Sequence, residues 1–173
     1  HAETGKLLGM QAVGTGDVVK RVDVVATAIT FGATAHDISE LDLGYAPPYS
    51  SAVDLLAHAG NVIDNKARGI ARSVTPAEVK RKMDAGEDFV LLDVRTPQEV
   101  EAARLSDHRV VNIPLGKLKE RAGELPADKE IVAFCKISVR GYEAQRILEG
   151  KGFSKVYFMD GGLMGWPYPL SDD

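Results

Sequence analysis

Four short apolar runs recur through the second half of the chain: FVLLDV at 89–94, VVNIP at 110–114, IVAFC at 131–135 and VYFM at 156–159, with helical patterns between them. Runs of this length, rich in β-branched and aromatic residues and apolar without alternation, are strands buried on both faces, which restricts the chain to a mainly parallel sheet flanked by helices. The connecting segments carry their own start signals. Thr75, Pro76 and Glu78, and again Thr96, Pro97 and Glu99, place an N-cap, a proline at the first helical position and the acid of a capping box in register. Short helices follow around Leu118 and from Arg140 to Glu149, the second stopped by Gly150 and Gly152. The fold class is therefore α/β, with right-handed crossovers between parallel strands.

The first third of the chain has a different pattern. GKLLGMQAVG reads as a short hairpin-like element, followed by a helix from Asp17, where Val18, Val22, Val25 and Ile29 recur at helical spacing up to Gly32. A loop containing Tyr45, Pro47, Pro48 and Tyr49 leads to a second helical pattern over 51–66. Two helices and a hairpin make a thin core, so this small α+β lobe needs a partner surface. The boundary falls between them, dividing the chain into 1–68 and 69–173.

A net charge of −4 with acids and bases interspersed offers no basic face to nucleic acid or to an anionic membrane. No apolar run reaches the roughly 18 residues of a membrane span, and a single cysteine cannot form an internal disulfide, which together point to a cytoplasmic protein. His36, His58 and His108 show no metal-ligand spacing, so no metal site is expected.

That single cysteine, Cys135, ends the third apolar run, at the strand edge where open parallel sheets bind ligands. Lys136, Ile137, Ser138 and Val139 separate it from Arg140 and the following helix. If these four residues wrap around the thiol, their backbone N–H groups and the helix start converge on the sulfur and favour an anion there. Lys136 and Arg140 add positive charge at the mouth. A cysteine at a strand end can equally be a packed core residue; the order strand, Cys, four residues, Arg, helix is not something an inert core cysteine requires.

With CKISVR as its six-residue loop, the second domain resembles a rhodanese domain over about 73–166. The resemblance extends through LLDVRTPQE, VNIPL, GYEAQRILEGKGF and the closing DGGLMGW, all in family order. It implies that Cys135 is the sulfur-accepting nucleophile, that Arg140 orients the loop and helps hold anionic donors, and that Lys136 supplies a second cation. Lys136, Ile137, Ser138 and Val139 would form the substrate-binding loop. Ser138 stands where close relatives carry glycine, which bears on loop dihedrals or brings a hydroxyl to the bound sulfur. Asp93 and Arg95 match the family's Asp-x-Arg, with an ion-paired structural role. LSDHRV replaces the family's Gly-His-Ile segment, so no role passes to His108.

The first lobe, through TGKLLGMQAVG and YAPPYS, resembles the C-terminal dimerisation domain of FAD-dependent pyridine nucleotide-disulfide oxidoreductases, with coenzyme A-disulfide reductases and NADH oxidases as the nearest subgroup. The resemblance implies a homodimer in which Tyr45 or Tyr49 approaches the partner's active site; packing of both tyrosines on the neighbouring prolines is the alternative. It also implies a C-terminal fragment of a longer coenzyme A-disulfide, persulfide or polysulfide reductase using FAD, NAD(P)H and coenzyme A. No cofactor is expected in this chain, because GTGD lacks the third glycine of a dinucleotide fingerprint. Three functions remain: a sulfurtransferase moving sulfane sulfur from a donor to a thiol acceptor through a Cys135 persulfide, a dimerisation and sulfur-carrier module without turnover, and a cysteine phosphatase. The last needs five residues between Cys and Arg, and this loop has four.

Overall fold

A computed structural model describes residues 1–170, which divide into two compact units, the first His1–Ile70 and the second beginning at Ala71. In the second unit, five strands form one parallel sheet: β1 (Ser73–Val74), β2 (Phe89–Asp93), β3 (Val110–Asn112), β4 (Glu130–Phe134) and β5 (Val156–Met159). Their order across the sheet is β1-β5-β4-β2-β3, so β4 is central, between β5 and β2. The two-residue β1, paired in parallel with Phe158 and Met159, had no signal in the sequence. The helices between strands span Pro76–Asp84, Pro97–Ala102, Leu115–Arg121 and Val139–Glu149, and both expected capping boxes form, with Thr75 and Thr96 accepting from the backbone N–H of Glu78 and Glu99.

The period of two along the strands sorts the side chains into two cores. Ile131, Ala133 and Cys135 face one side of the sheet with Leu92, Ala144 and Leu148, while Val132 and Phe134 face the other with Leu91, Val79 and Trp166. This parity puts the cysteine on the face covered by the helix that follows it. That helix lies close to the sheet because Gly141 has no Cβ: one there would stand 3.2 Å from the Ala133 carbonyl oxygen and 3.3 Å from the Phe158 Cβ.

The first unit departs from expectation in one respect. Residues 5–13 form no hairpin; they have no regular secondary structure beyond an isolated antiparallel bridge between Lys6 and Thr34. No residue of that stretch is a strong two-residue hairpin turn, and Leu7 and Met10 instead pack onto a small core of Val25, Ile38 and Leu56. The lobe is thus helical and not α+β, built from helices Val18–Thr30, Ala35–Ser39 and Leu55–Ala67. The acidic HDISELD segment is partly helix: Asp37 closes a capping box with Thr34, and Ala35 and Ile38 are buried. Asp54 caps the third helix and receives both Arg21 Nε and Nη2 at 2.9 Å, cross-linking it to the first. Among the described residues no helix is long and apolar enough to cross a membrane.

Candidate active site

β4 stops at Phe134, so Cys135 is the first residue beyond the carboxyl end of the central strand. It is 1% exposed, and its Sγ accepts the backbone N–H of Ser138 at 3.3 Å. The chain reverses around the sulfur within four residues and enters the Val139–Glu149 helix, whose first turn is closed by the Tyr142 N–H on the Ser138 carbonyl at 2.9 Å.

So tight a reversal needs an unusual backbone, and Ser138 supplies it with φ +105°, the one positive φ outside glycine among the described residues. An L-residue is strained there. The strain is offset by the hydroxyl, which accepts the Gly161 N–H at 2.6 Å and donates to the Met159 carbonyl at 3.4 Å. Ser138 thus gives its N–H to the sulfur and its hydroxyl to the chain leaving β5. The backbone at 138 thus has the positive φ that a glycine would adopt without strain, and the serine hydroxyl is committed to the backbone of 159 and 161.

A single turn of 3₁₀ helix, Gly162–Gly165, completes the scaffold. Its Leu163 N–H reaches the Cys135 carbonyl at 2.9 Å, and its Met164 N–H reaches the Lys136 carbonyl at 3.0 Å. Because each trans peptide points its carbonyl and N–H in opposite directions, holding these two carbonyls on the turn directs the next two N–H groups away from it. Contact is so close that a Cβ on Gly162, φ +53°, would lie 2.4 Å from the Cys135 carbonyl oxygen and 2.8 Å from the Ile137 nitrogen. Gly161, Gly162 and Trp166 belong to the closing DGGLMGW segment. Trp166 is buried in the sheet's second core, whereas the glycines touch the loop.

Arg140 enters from the helix's first turn. Both its terminal nitrogens meet Glu99, Nη1 to Oε2 at 2.8 Å and Nη2 to Oε1 at 2.6 Å. These bonds, with the N–H and hydroxyl of Thr96, hold the Glu99 carboxyl down to about 2. Arg140 is held protonated above the ordinary arginine range, chiefly by Glu99 and more weakly by Cys135. In the sequence Glu99 is legible only as a capping acid, because no local pattern announces a partner 41 residues away.

Asp93 and Arg95 form a buried pair behind this contact, with Arg95 Nε and Nη2 on the Asp93 carboxylate at 2.9 and 2.6 Å. The Arg95 Nη1 donates to the Glu99 carbonyl at 3.0 Å, and its guanidinium lies over the Phe134 ring. A line of contacts therefore runs from the end of β2 through Arg95 and Glu99 to Arg140. Around the sulfur, Lys136, Ile137 and Val139 are exposed, so the loop presents a cation and two apolar side chains to solvent. In the first unit, Tyr45 and Tyr49 are 55% and 86% exposed.

Known proteins with related sequences and structures share this arrangement's family. The family model for the rhodanese-like domain matches residues 75–167. Among curated relatives, the probable adenylyltransferase/sulfurtransferase MoeZ of Mycobacterium tuberculosis is 30% identical over 128 residues, covering 73% of this chain and 33% of that protein. A putative sulfurtransferase, YtwF of Bacillus subtilis, is 32% identical and covers 55% of this chain and 89% of itself. Among solved structures, reduced CoADR-RHD of Bacillus anthracis is 40% identical with a TM-score of 0.77, over 86% of this chain and 26% of that one. An NAD-dependent persulfide reductase from A. fulgidus is 43% identical with a TM-score of 0.72, over 88% of this chain and 26% of that one. The chain thus spans about a third of MoeZ and about a quarter of each of these two structures.

Proposed function

The chain belongs to the rhodanese-like family, and from that premise we propose that its rhodanese-like sulfurtransferase domain works by double displacement at Cys135. The Cys135 thiolate attacks the outer sulfur of a donor such as thiosulfate, an S–S bond forms to Cys135 as the donor's S–S bond breaks, and sulfite leaves with the bonding electron pair. An acceptor nucleophile, a thiolate or cyanide, then attacks the terminal sulfur of the persulfide and returns Cys135 as thiolate. The loop N–H groups stabilise the anionic sulfur in both states, and Arg140 and Lys136 meet the charge on donor and leaving group. The observation that carries this reading is the Ser138 N–H aimed at Sγ in a loop whose carbonyls are tied outward to 163 and 164. Four residues between Cys and Arg also make a ring smaller than a phosphatase reading requires.

On the same footing we place the chain as the C-terminal part of a longer coenzyme A-disulfide, persulfide or polysulfide reductase, in which FAD and NAD(P)H belong to residues outside this chain. The 40% and 43% identities to CoADR-RHD and to the persulfide reductase, each matched along a quarter of its length, support that placement. The first unit would pair two copies. Its exposed apolar side chains, Val19, Phe31, Leu55, Val62 and Ile63 among them, support such a role, and they equally favour a second reading in which the chain is a docking and sulfur-carrier module.

Intact-mass measurement after thiosulfate treatment, with a Cys135→Ser control and later addition of cyanide, separates the two readings. Gain of one sulfur atom that cyanide removes repeatedly supports turnover. One loading that small acceptors do not discharge supports the carrier. No gain on the folded protein refutes both. Sedimentation of the same sample reads the homodimer.

A further inference from the structure

The Arg140–Glu99 contact does more than the helix cap requires. A capping box closes as well with glutamine as with glutamate at its third position, so capping alone asks for no charge at 99. The carboxylate is nonetheless ionised and shares both Oε atoms with the guanidinium of a loop residue. The planar fork that accepts a carboxylate in two parallel hydrogen bonds is the same fork that accepts a sulfur oxyanion. Glu99 therefore occupies the Arg140 face that a donor oxyanion would take, and cancels one of the loop's two cationic charges.

Resting on the sulfur-transfer reading above, we propose that Glu99 is a specificity-determining residue that discriminates against multiply charged donors by competing with them for Arg140. A dianion must displace the carboxylate and meets its repulsion twice over; a monoanion or an organic persulfide, recognised mainly by its sulfane sulfur against Ile137 and Val139, pays less of that penalty. Glu99 itself stands in a support formed by Thr96 and by the Arg95 bond to its carbonyl, so it returns to one position when the donor leaves.

The test compares thiosulfate, a dianion releasing sulfite, with methanethiosulfonate, a monoanion releasing methanesulfinate, using cyanide as acceptor. In Glu99→Gln, which keeps the capping box, KM for thiosulfate falls about two- to five-fold, the range of an ion pair with a third of each side chain exposed, while KM for methanethiosulfonate falls less than twofold. Glu99→Asp, which keeps the charge, returns the thiosulfate KM toward the wild-type value. An unchanged or raised thiosulfate KM in Glu99→Gln, or an equal fall for both donors, overturns the proposal. Should the wild-type chain take up no sulfur, the sulfur-transfer reading fails separately: titration of thiosulfate into Cys135→Ser and Cys135→Ser/Glu99→Gln, followed by NMR, still reads the competition, and equal affinities refute it.

Discussion

Replacing Gly162 by alanine tests the claim that the cysteine loop is shaped by the turn beneath it. The new Cβ would lie 2.4 Å from the Cys135 oxygen, 2.7 Å from the Lys136 carbonyl carbon and 2.8 Å from the Ile137 nitrogen, all backbone atoms that no rotamer change can clear. Restoring ordinary contact requires the loop to retreat by about 1 Å, which stretches the bonds from the 163 and 164 N–H groups, now 2.9 and 3.0 Å, beyond useful length. Two backbone hydrogen bonds at about 1 kcal/mol each and about 1 kcal/mol for alanine in a left-handed conformation give a loss of ~3 kcal/mol. Trp166 is the only tryptophan and lies in the second unit, so its fluorescence follows that unit through a urea titration. The midpoint is expected to fall by ~1–3 M, given a slope of about 1–3 kcal/mol per M for a domain of this size. Gly161→Ala is the control: it carries the same backbone strain at φ +73°, but the nearest atom is the Gly165 Cα at 3.1 Å, so it costs about 1–2 kcal/mol and leaves the loop in place. Persulfide loading should be slowed in Gly162→Ala and preserved in Gly161→Ala. If the two variants unfold together and load sulfur at equal rates, the turn does not hold the loop.

Three further outcomes follow from the same geometry. Ser138→Ala keeps the positive φ but loses the hydroxyl's two bonds, and is expected to cost about 1–2 kcal/mol in the same titration, whereas Ser138→Gly relieves the backbone as it loses the bonds and should fall within about 0.5 kcal/mol of wild type. Asp93→Asn leaves the buried Arg95 guanidinium without its counter-charge and should destabilise the second unit by about 3–5 kcal/mol; a change under about 1 kcal/mol would mean that the pair is replaceable. Glu99 is held down to about 2 from its usual 4.5, so its contribution to stability is complete above pH 4.5 and is lost as the pH falls toward 2. With a third of each side chain exposed, that contribution is discounted to about 1 kcal/mol, of which a little over half is lost by pH 3, so wild type should lose about 0.6 kcal/mol more than Glu99→Gln between pH 6 and pH 3 in urea titrations; parallel loss in the two proteins would refute the pairing.

What the sequence determined was whatever is written in short windows. Unbroken apolar runs specify strands buried on both faces, threonine, proline and glutamate in register specify helix starts, and the spacing of Cys135 and Arg140 specifies a small loop between strand and helix, because each depends only on neighbours within about one turn. The hairpin expected at residues 5–13 failed for the complementary reason: apolar residues without a turn dipeptide are indifferent between pairing with each other and packing on a helix, and the helices provided the larger apolar surface. Likewise, β1 is a strand only because Val74 lies beside Met159. The site's electrostatics belong to the tertiary structure. Glu99 and Arg140 are 41 residues apart, and each is locally complete, one as a cap and the other as a first-turn helix residue, until the sheet brings β2 beside β4 and sets the ends of their connections together. The positive φ of Ser138 has the same origin, since the bonds that compensate it come from the turn after β5, which the sequence separates from the loop and the parallel sheet places beneath it.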